Sequence, residues 1–471
     1  MLTRLEIDGF KTFENLDISI SPFTVILGSN AAGKSNLFDA IKLLSNLATK
    51  DINEALKDMR GEPLELFRQL PSQGRVKRIS LAAEAMVDPL VRDPWGSEVK
   101  LTHTRMRYEV TLERRRLNNG LERVQVAEEA VYPLKSKDDK WVKAHRPTKA
   151  FKEAYLKYSR QNPWLTTETL PEGLSFSIHQ DGRQGRNRPA GAAEATVLYS
   201  ITNAEFPHLF ALREEMRNWR LLQLDPALLR KPVPATVSDV LDVDGANLAA
   251  VLARLKAETA TAHQPDGVLS DIAGELGSLI PGVLKLDAGL HDASREYRIE
   301  LTMRDGLPYT SRVISDGTLR VLALLTLLND PTHRGLICFE EPENGVHPGR
   351  VRQLVRRLNE MVSTPSGFSS DGGLAPPLSQ LVLNSHSPVV LSALLEPDGN
   401  GQLGEAEILF ADTANVSDPD RKELRRKTRL RPVVRPGSTV QADLFAPAQV
   451  PQGYVSALEV NNVLGTVLAE G

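Results

Sequence analysis

An α/β fold organised around a phosphate-binding loop is the architecture this sequence predicts, and three observations carry it. A short run of β-forming residues, Phe23–Leu27, leads into a glycine-containing loop and then an amphipathic helix. From about 296 to 411, apolar strands alternate with helices. Between about 77 and 133, apolar and charged residues alternate, as in antiparallel strands with one wet face.

The elements follow in order. Arg4, Glu6 and Asp8 alternate with Leu5 and Ile7, the pattern of a half-buried strand. After the segment GSNAAGKSN, the residues Leu37, Ile41, Leu44 and Leu47 recur on one helical face. Residues 134–195 are polar and basic, with glycine and arginine clusters such as DGRQGRNRPAGAA, and read as a surface insertion or loop. Residues 203–262 read as helical with a break at KPVPATVSD, and Leu248, Val251 and Leu255 share a face. Strands are expected at EYRIELTM, GLICF and SQLVLN, helices at SDGTLRVLALLTLLND and PGRVRQLVRRLNEM, and a Gly/Pro/Ser loop over 364–378. The chain from about 413 reads as an irregular tail, and residues 421–435 hold eight basic residues and one acid, a local charge of +7. The expected organisation is an N-terminal lobe 1–133, an insertion and helical lobe 134–295, a C-terminal lobe 296–412 and a basic tail 413–471.

Composition narrows the function classes. With 471 residues, 41% hydrophobic and 25% charged, the chain can bury a large core and is not disordered. Its net charge of −3 means that any nucleic-acid contact must come from a local patch. A single cysteine, Cys338, excludes an intrachain disulfide framework and any multi-cysteine metal site. No apolar run has the length of a membrane span, and the N-terminus alternates from the start, unlike a secretory signal. A soluble cytoplasmic protein with no membrane partner is expected.

The strongest chemical signal is Gly28-Ser-Asn-Ala-Ala-Gly33-Lys34-Ser35, which matches G-x-x-x-x-G-K-[ST]. The glycines let the backbone curl around phosphates, and the following helix adds its positive end. Gly28, Asn30, Gly33, Lys34, Ser35 and Asn36 are the candidate nucleotide contacts, with Lys34 on the β/γ-phosphates and Ser35 on Mg²⁺. The bland alternative, a glycine turn with a coincident lysine, is weakened by the strand before the loop and the helix after it.

A buried-looking strand, Gly335–Phe339, ends in Glu340-Glu341-Pro342. Carboxylates at the C-terminal tip of such a strand face the ligand crevice of an α/β sheet. Glu340 suits the Mg²⁺ shell, and Glu341 suits orientation of the attacking water. A charged turn is the alternative, and the phosphate loop tips the balance against it. In Ile314-Ser-Asp-Gly-Thr-Leu-Arg320, Ser315 or Asp316 can cap the helix that follows, and the same helix start can bind a γ-phosphate. His386, in Asn384-Ser-His-Ser-Pro388, is either a turn histidine or one that touches the γ-phosphate or the water.

Taken together and in this order, the four segments resemble an ATP-binding-cassette ATPase head of the RecF/SMC/OLD type. Within it the chain is most similar to the bacterial AAA-21/AAA-15 group, supported by DVDGANLAAVLARL and NWRLLQLDPALLRKP. The resemblance covers about 1–60 and 200–412 and implies a P-loop NTPase of ABC-head type. An antiparallel β lobe and a helical lobe would be inserted between Walker A and the signature motif. It implies ATP and Mg²⁺ as ligands, Lys34 and Ser35 in Walker A, Glu340 as the Walker B acid and Glu341 as the catalytic base. His386 would be the switch residue, and Ser315 and Gly317 the signature that contacts ATP across a head-to-head dimer. Gln69 and Gln73 are both candidates for the Q-loop. Three departures are Glu340 in place of the commoner aspartate, Ala31 in place of a loop glycine, and His347 at the D-loop position. Neither a long coiled coil nor a C-terminal Toprim nuclease domain is expected.

The resemblance implies an ATP-hydrolysing, dimerising switch in DNA repair or anti-phage defence that controls a separate effector such as a nuclease. The alternative is an ATP-bound scaffold without turnover, which Glu341 and His386 argue against; a transporter subunit is a third class, opposed by the EEPENG form. Double-stranded DNA is a candidate partner through Arg105, Arg107, Arg114, Arg115, Arg116 and Arg123, through 182–188, or through the basic tail. The alternative reading of each is a solvated charged face.

Overall fold

A computed structural model describes residues 1–72, 74–116, 118–171, 173–180, 183–236, 240–331, 335–369, 376–397, 406–418, 423–434 and 453–470. Strands β1 (Leu2–Asp8), β2 (Leu16–Ser19) and β3 (Phe23–Gly28) precede helix α1 (Lys34–Thr49). Then come β4 (Arg78–Met86), β5 (Arg105–Arg116), β6 (Glu122–Pro133), β7 (Leu165–Leu170), β8 (Gly173–Gln180) and β9 (Arg183–Pro189). Helix α2 (Pro207–Arg217), strand β10 (Arg220–Leu222), helices α3 (Leu248–Thr259) and α4 (Leu269–Leu279) and strands β11 (Val283–His291) and β12 (Glu296–Met303) follow. The last third holds α5 (Asp316–Leu328), β13 (Gly335–Glu340), α6 (Pro348–Glu360), β14 (Ser379–Ser385) and α7 (Pro388–Leu395). It closes with β15 (Glu407–Asp418), β16 (Glu423–Val434), β17 (Val455–Ser456) and α8 (Ala457–Glu470).

Two large sheets carry the molecule. The seven-stranded sheet has the order β10-β13-β14-β3-β15-β16-β17. Its first five strands are parallel, and β16 returns antiparallel to β15. Residues of each parallel strand split between two cores. Leu336 and Cys338 face one, Ile337 and Phe339 the other, which explains why such strands are apolar throughout. On the first face lie α1 and the eight-stranded antiparallel sheet, ordered β9-β8-β7-β6-β5-β4-β1-β2. On the second lie α3 to α7 and a small antiparallel sheet containing β11 and β12. Helix α5 is buried on nearly all sides, with Leu319, Leu322 and Leu325 completely enclosed. Burying each such side chain contributes about 1.5–3 kcal/mol.

Three expectations are corrected. Residues 165–189, read as insertion or loop, form β7 to β9, which extend the antiparallel sheet. Their buried residues Phe176 and Ile178 are outnumbered by polar ones, so the alternation is diluted. The chain after 413 is not an irregular tail: it completes β15 and forms β16. There Thr428, Leu430, Val433 and Val434 are buried, while Arg426 and Arg429 are exposed and Arg425, Lys427 and Arg431 are half-buried. The strand EYRIELTM joins the small sheet and not the parallel one, because its partner is β11, the strand just before it.

Candidate active site

The parallel strands end level with one another. Glu340 pairs in register with Asn384, Asn384 with Ile26, and Ser385 with Leu27. The loop after β3, the acidic turn after β13 and the histidine turn after β14 therefore meet at one sheet edge, with β14 in the middle. That is where ligands bind in open α/β sheets.

The loop residues 28–33 wrap the start of α1. Gly33 has φ 93° and is the N-cap, with no side chain capping the helix, so the first-turn amides face the loop's interior. A Cβ on Gly33 would lie 2.3 Å from Thr428 Oγ1, so only glycine fits between the loop and β16. Ala31 takes φ 60°, which for a residue with a Cβ costs about 1–2 kcal/mol. Lys34 is buried, and its Nζ donates to the carbonyls of Gly28 (2.6 Å) and Ser29 (2.9 Å). Burial pushes its ammonium pKa below the ordinary lysine value, and the nearby charges of Glu341, Glu343 and Glu340 oppose that shift.

Across the cavity, Asn384 organises the acidic turn. Its Nδ2 donates to Glu340 Oε1 (3.2 Å), and its carbonyl and Oδ1 both accept from the Glu341 N–H (3.0 and 3.2 Å). Glu341 sits in the left-handed region, φ 50°, a conformation held by its surroundings. Its Oε2 accepts from Asn344 Nδ2 (2.7 Å), and its Oε1 lies 3.0 Å from His386 Nδ1. Because a carboxylate only accepts, Nδ1 carries that hydrogen. Half-buried Glu343 accepts from the Ser385 hydroxyl. Burial raises its carboxyl pKa, while the Ser385 bond and His386 oppose the rise.

Asn30, Gly33, Lys34, Ser35, Asn36, Glu340 and Glu341 line one cavity of about 420 Å³. Gly28 and His386 do not line it: the Gly28 carbonyl accepts from Lys34, and His386 bonds Glu341. The Asn36 amide points away from it, donating to Thr12 Oγ1 (2.9 Å), which bonds Thr428 Oγ1 (2.8 Å). Arg320 and Asn384, not among the sequence-predicted site residues, also line it. Asn384 had a legible signal, a polar residue ending an apolar strand; Arg320 had none. The hard oxygens of Ser35 and Glu340 on one cavity fit Mg²⁺.

Ser315 and Gly317 lie outside this cavity. Ser315 caps α5, its Oγ accepting from Thr318 N at 3.2 Å. A Cβ on Gly317 would lie 2.3 Å from Gly345 Cα, so the helix start is packed against the turn that follows the acidic pair. Arg230 pairs with Asp316 and donates to the Ile314 carbonyl (2.6 Å), fixing the segment. His347 caps α6, Nδ1 accepting from Gly349 N at 3.2 Å. Of the two glutamines, Gln69 is exposed and away from the cavity, and Gln73 lies outside the described residues.

Residues 1–109, which hold the phosphate loop, match the family model "AAA ATPase domain". Residues 192–392, which hold the signature segment, the acidic pair and His386, match "AAA domain, putative AbiEii toxin, Type IV TA system". Both stretches are thus similar to AAA domains. No curated protein matches it. Among solved structures it is similar to an Smc head bound to the C-winged helix domain of ScpA, at 14% identity over 92% of this chain and 98% of that one, TM-score 0.47. It is also similar to a Pyrococcus furiosus Smc head bound to the C-terminal domain of ScpA, at 13% identity over 92% and 96%, TM-score 0.44. The SMC head domain of Thermotoga maritima matches at 12% identity over 92% and 99%, TM-score 0.37.

Several arginines of the basic segments are paired, and of 182–188 and 421–435 the residues 182, 421, 422 and 435 lie outside the described residues. Arg105 pairs with Asp139 (2.6 Å), Arg107 with Glu6 (2.7 Å), Arg115 with Glu113 (2.9 Å) and Arg123 with Glu194 (2.7 Å). Arg429 and Arg431 both pair with Asp412. Among the described residues, no helix is long and apolar enough to cross a membrane.

Proposed function

We propose that the ATPase domain binds Mg-ATP and hydrolyses it to ADP and phosphate, and that two copies close head to head around the nucleotide. The observation that carries this reading is the single cavity bounded by the phosphate loop, by Lys34 without a carboxylate partner, and by Glu340 and Glu341. The loop amides and Lys34 bind the β- and γ-phosphates. Ser35 and Glu340 hold Mg²⁺, which when bound neutralises charge on the phosphate oxygens. Glu341 takes the proton of the attacking water, a role worth about 10²–10⁴ in rate. Asn344 and His386 fix both of its oxygens. Ser315 and Gly317, outside their own chain's cavity, contact ATP held by the second copy.

Closure by ATP and opening by hydrolysis make a switch for any partner that prefers one state. We place the switch in anti-phage defence or DNA repair, acting in the cytoplasm on a separate effector such as a nuclease; the family description of residues 192–392 names a toxin of a type IV TA system and nothing more specific. Double-stranded DNA remains a partner to test, although the arginines of β5 and β6 are mostly paired.

Light scattering of Glu341→Gln with ATP and Mg²⁺ tests the dimer: a doubled mass with ATP retained is expected, and a monomer without nucleotide overturns it. Ser315→Arg should keep ATP binding and lose both dimer and turnover; loss of ATP binding contradicts its action across the interface. Hydrolysis measured with and without linear double-stranded DNA at fixed low salt separates the partners. Stimulation places DNA in the cycle, and an unchanged rate points to a protein.

A further inference from the structure

Arg320 stands out among the cations of the site. It lies one turn into α5, on the helix whose start carries Ser315 and Gly317. Its Nη2 donates to the Glu340 carbonyl (3.1 Å), and its guanidinium lies 5.6 Å from the centre of the Phe339 ring. No carboxylate among the described residues forms an ion pair with it, and its Nε, like those of Arg213, Arg298 and Arg431, is buried without an acceptor. Yet it lines the same cavity as Lys34 and the phosphate loop. A planar guanidinium that lines a phosphate cavity without an ion-pair partner suits an anion, which its remaining Nη hydrogens can meet.

We propose that Arg320 binds the γ-phosphate of ATP held by its own chain, so that α5 reads both nucleotides of the dimer. This rests on the reading of the cavity as an ATP site. The loop and Lys34 cradle the phosphates from one side. Arg320 approaches from the strand end that carries Glu340, the side on which the terminal phosphate faces the acidic turn. The Glu340 carbonyl and the Phe339 ring fix the guanidinium in advance of binding. Gly317, three residues earlier on the same helix, is packed on Gly345 in the turn after Glu341. Release of the γ-phosphate therefore removes one of the two nucleotide contacts that α5 makes, the other being that of Ser315 with the second copy. Hydrolysis is thereby linked to dimer opening through one rigid element.

The test is equilibrium binding of AMP-PNP and of ADP, each with Mg²⁺, to wild type, Arg320→Met and Arg320→Lys. Arg320→Met should weaken AMP-PNP by about tenfold, about 1.4 kcal/mol, while ADP changes by less than about twofold. Arg320→Lys should recover part of the AMP-PNP loss, which guards against a Met variant that fails to fold. Equal weakening of both nucleotides, or no change in either, overturns the γ-phosphate contact and leaves Arg320 a structural tie to the Glu340 carbonyl. Wild-type protein that binds neither nucleotide overturns the ATP reading itself, a different result from a wild type that binds both and a variant that does not discriminate.

Discussion

Cations of the antiparallel lobe and cations of the phosphate cavity are held in opposite ways. In the lobe, Arg105 is fully buried and gives two hydrogen bonds to Asp139, at 2.6 and 3.1 Å, and a third to Thr3 Oγ1 at 3.0 Å. Arg107 forks onto both oxygens of Glu6. In the cavity, the side-chain hydrogen bonds of Lys34 and Arg320 go only to backbone carbonyls. A paired cation has spent its charge on the fold. An unpaired one beside a cavity keeps its charge for a ligand. Arginine density along a sequence says little about anion binding, because what counts is which carboxylates the fold brings to each side chain.

The contrast can be broken by exchanging costs. Arg105→Met strands the Asp139 carboxylate in the core and should cost about 3–5 kcal/mol of stability. Urea unfolding measures this, and AMP-PNP affinity of the folded variant should not move. A loss below about 1 kcal/mol would show that the pair is not the anchor described. Lys34→Met should do the reverse: about 100-fold weaker ATP binding by titration, with the unfolding midpoint unchanged or slightly higher, since a desolvated ammonium has been removed. A variant that unfolds but binds normally would contradict it.

A third buried charge sharpens the point with a smaller effect. Glu129 is buried and accepts from Val197 N (2.5 Å), Leu198 N (3.1 Å) and the Tyr108 hydroxyl (3.1 Å). Burial outweighs these bonds and pushes its carboxyl pKa up to about 7. An unfolded glutamate ionises near its ordinary value, so between that pH and 7 the folded chain holds the extra proton. Stability is full below the window and falls as pH rises through it. Glu129→Gln should flatten this fall, narrowing the difference in melting temperature between pH 5 and pH 8 by about 2–4 °C. An equally steep fall in the variant would assign the dependence to another group.

What was legible in the sequence was local. The strand–loop–helix unit around Lys34 and the acidic strand end at Glu340 are short contiguous patterns, and each lies in the structure where its spacing places it. What was not legible depends on distant pairing. Thr428 contacts the phosphate loop through Ala32 O (3.1 Å) and Thr12 across about 400 residues of chain, and nothing near Thr428 announces it. Strand β16 was hidden because its charged face dominates the composition, while its buried face is four residues long in effect. Strands β7 to β9 were hidden by polar side chains on the wet side of a sheet edge. The position of Arg320 follows from the packing of α5 against β13, which no single segment encodes.

The measurement that tests the central claim most directly is steady-state phosphate release by wild type and by Glu341→Gln under the same Mg-ATP concentration. The cavity described here predicts turnover in the wild type and a loss of about 10²–10⁴ in the variant, with ATP still bound. Equal rates would contradict the assignment of Glu341 as the proton acceptor, and absence of turnover in the wild type would favour an ATP-bound scaffold.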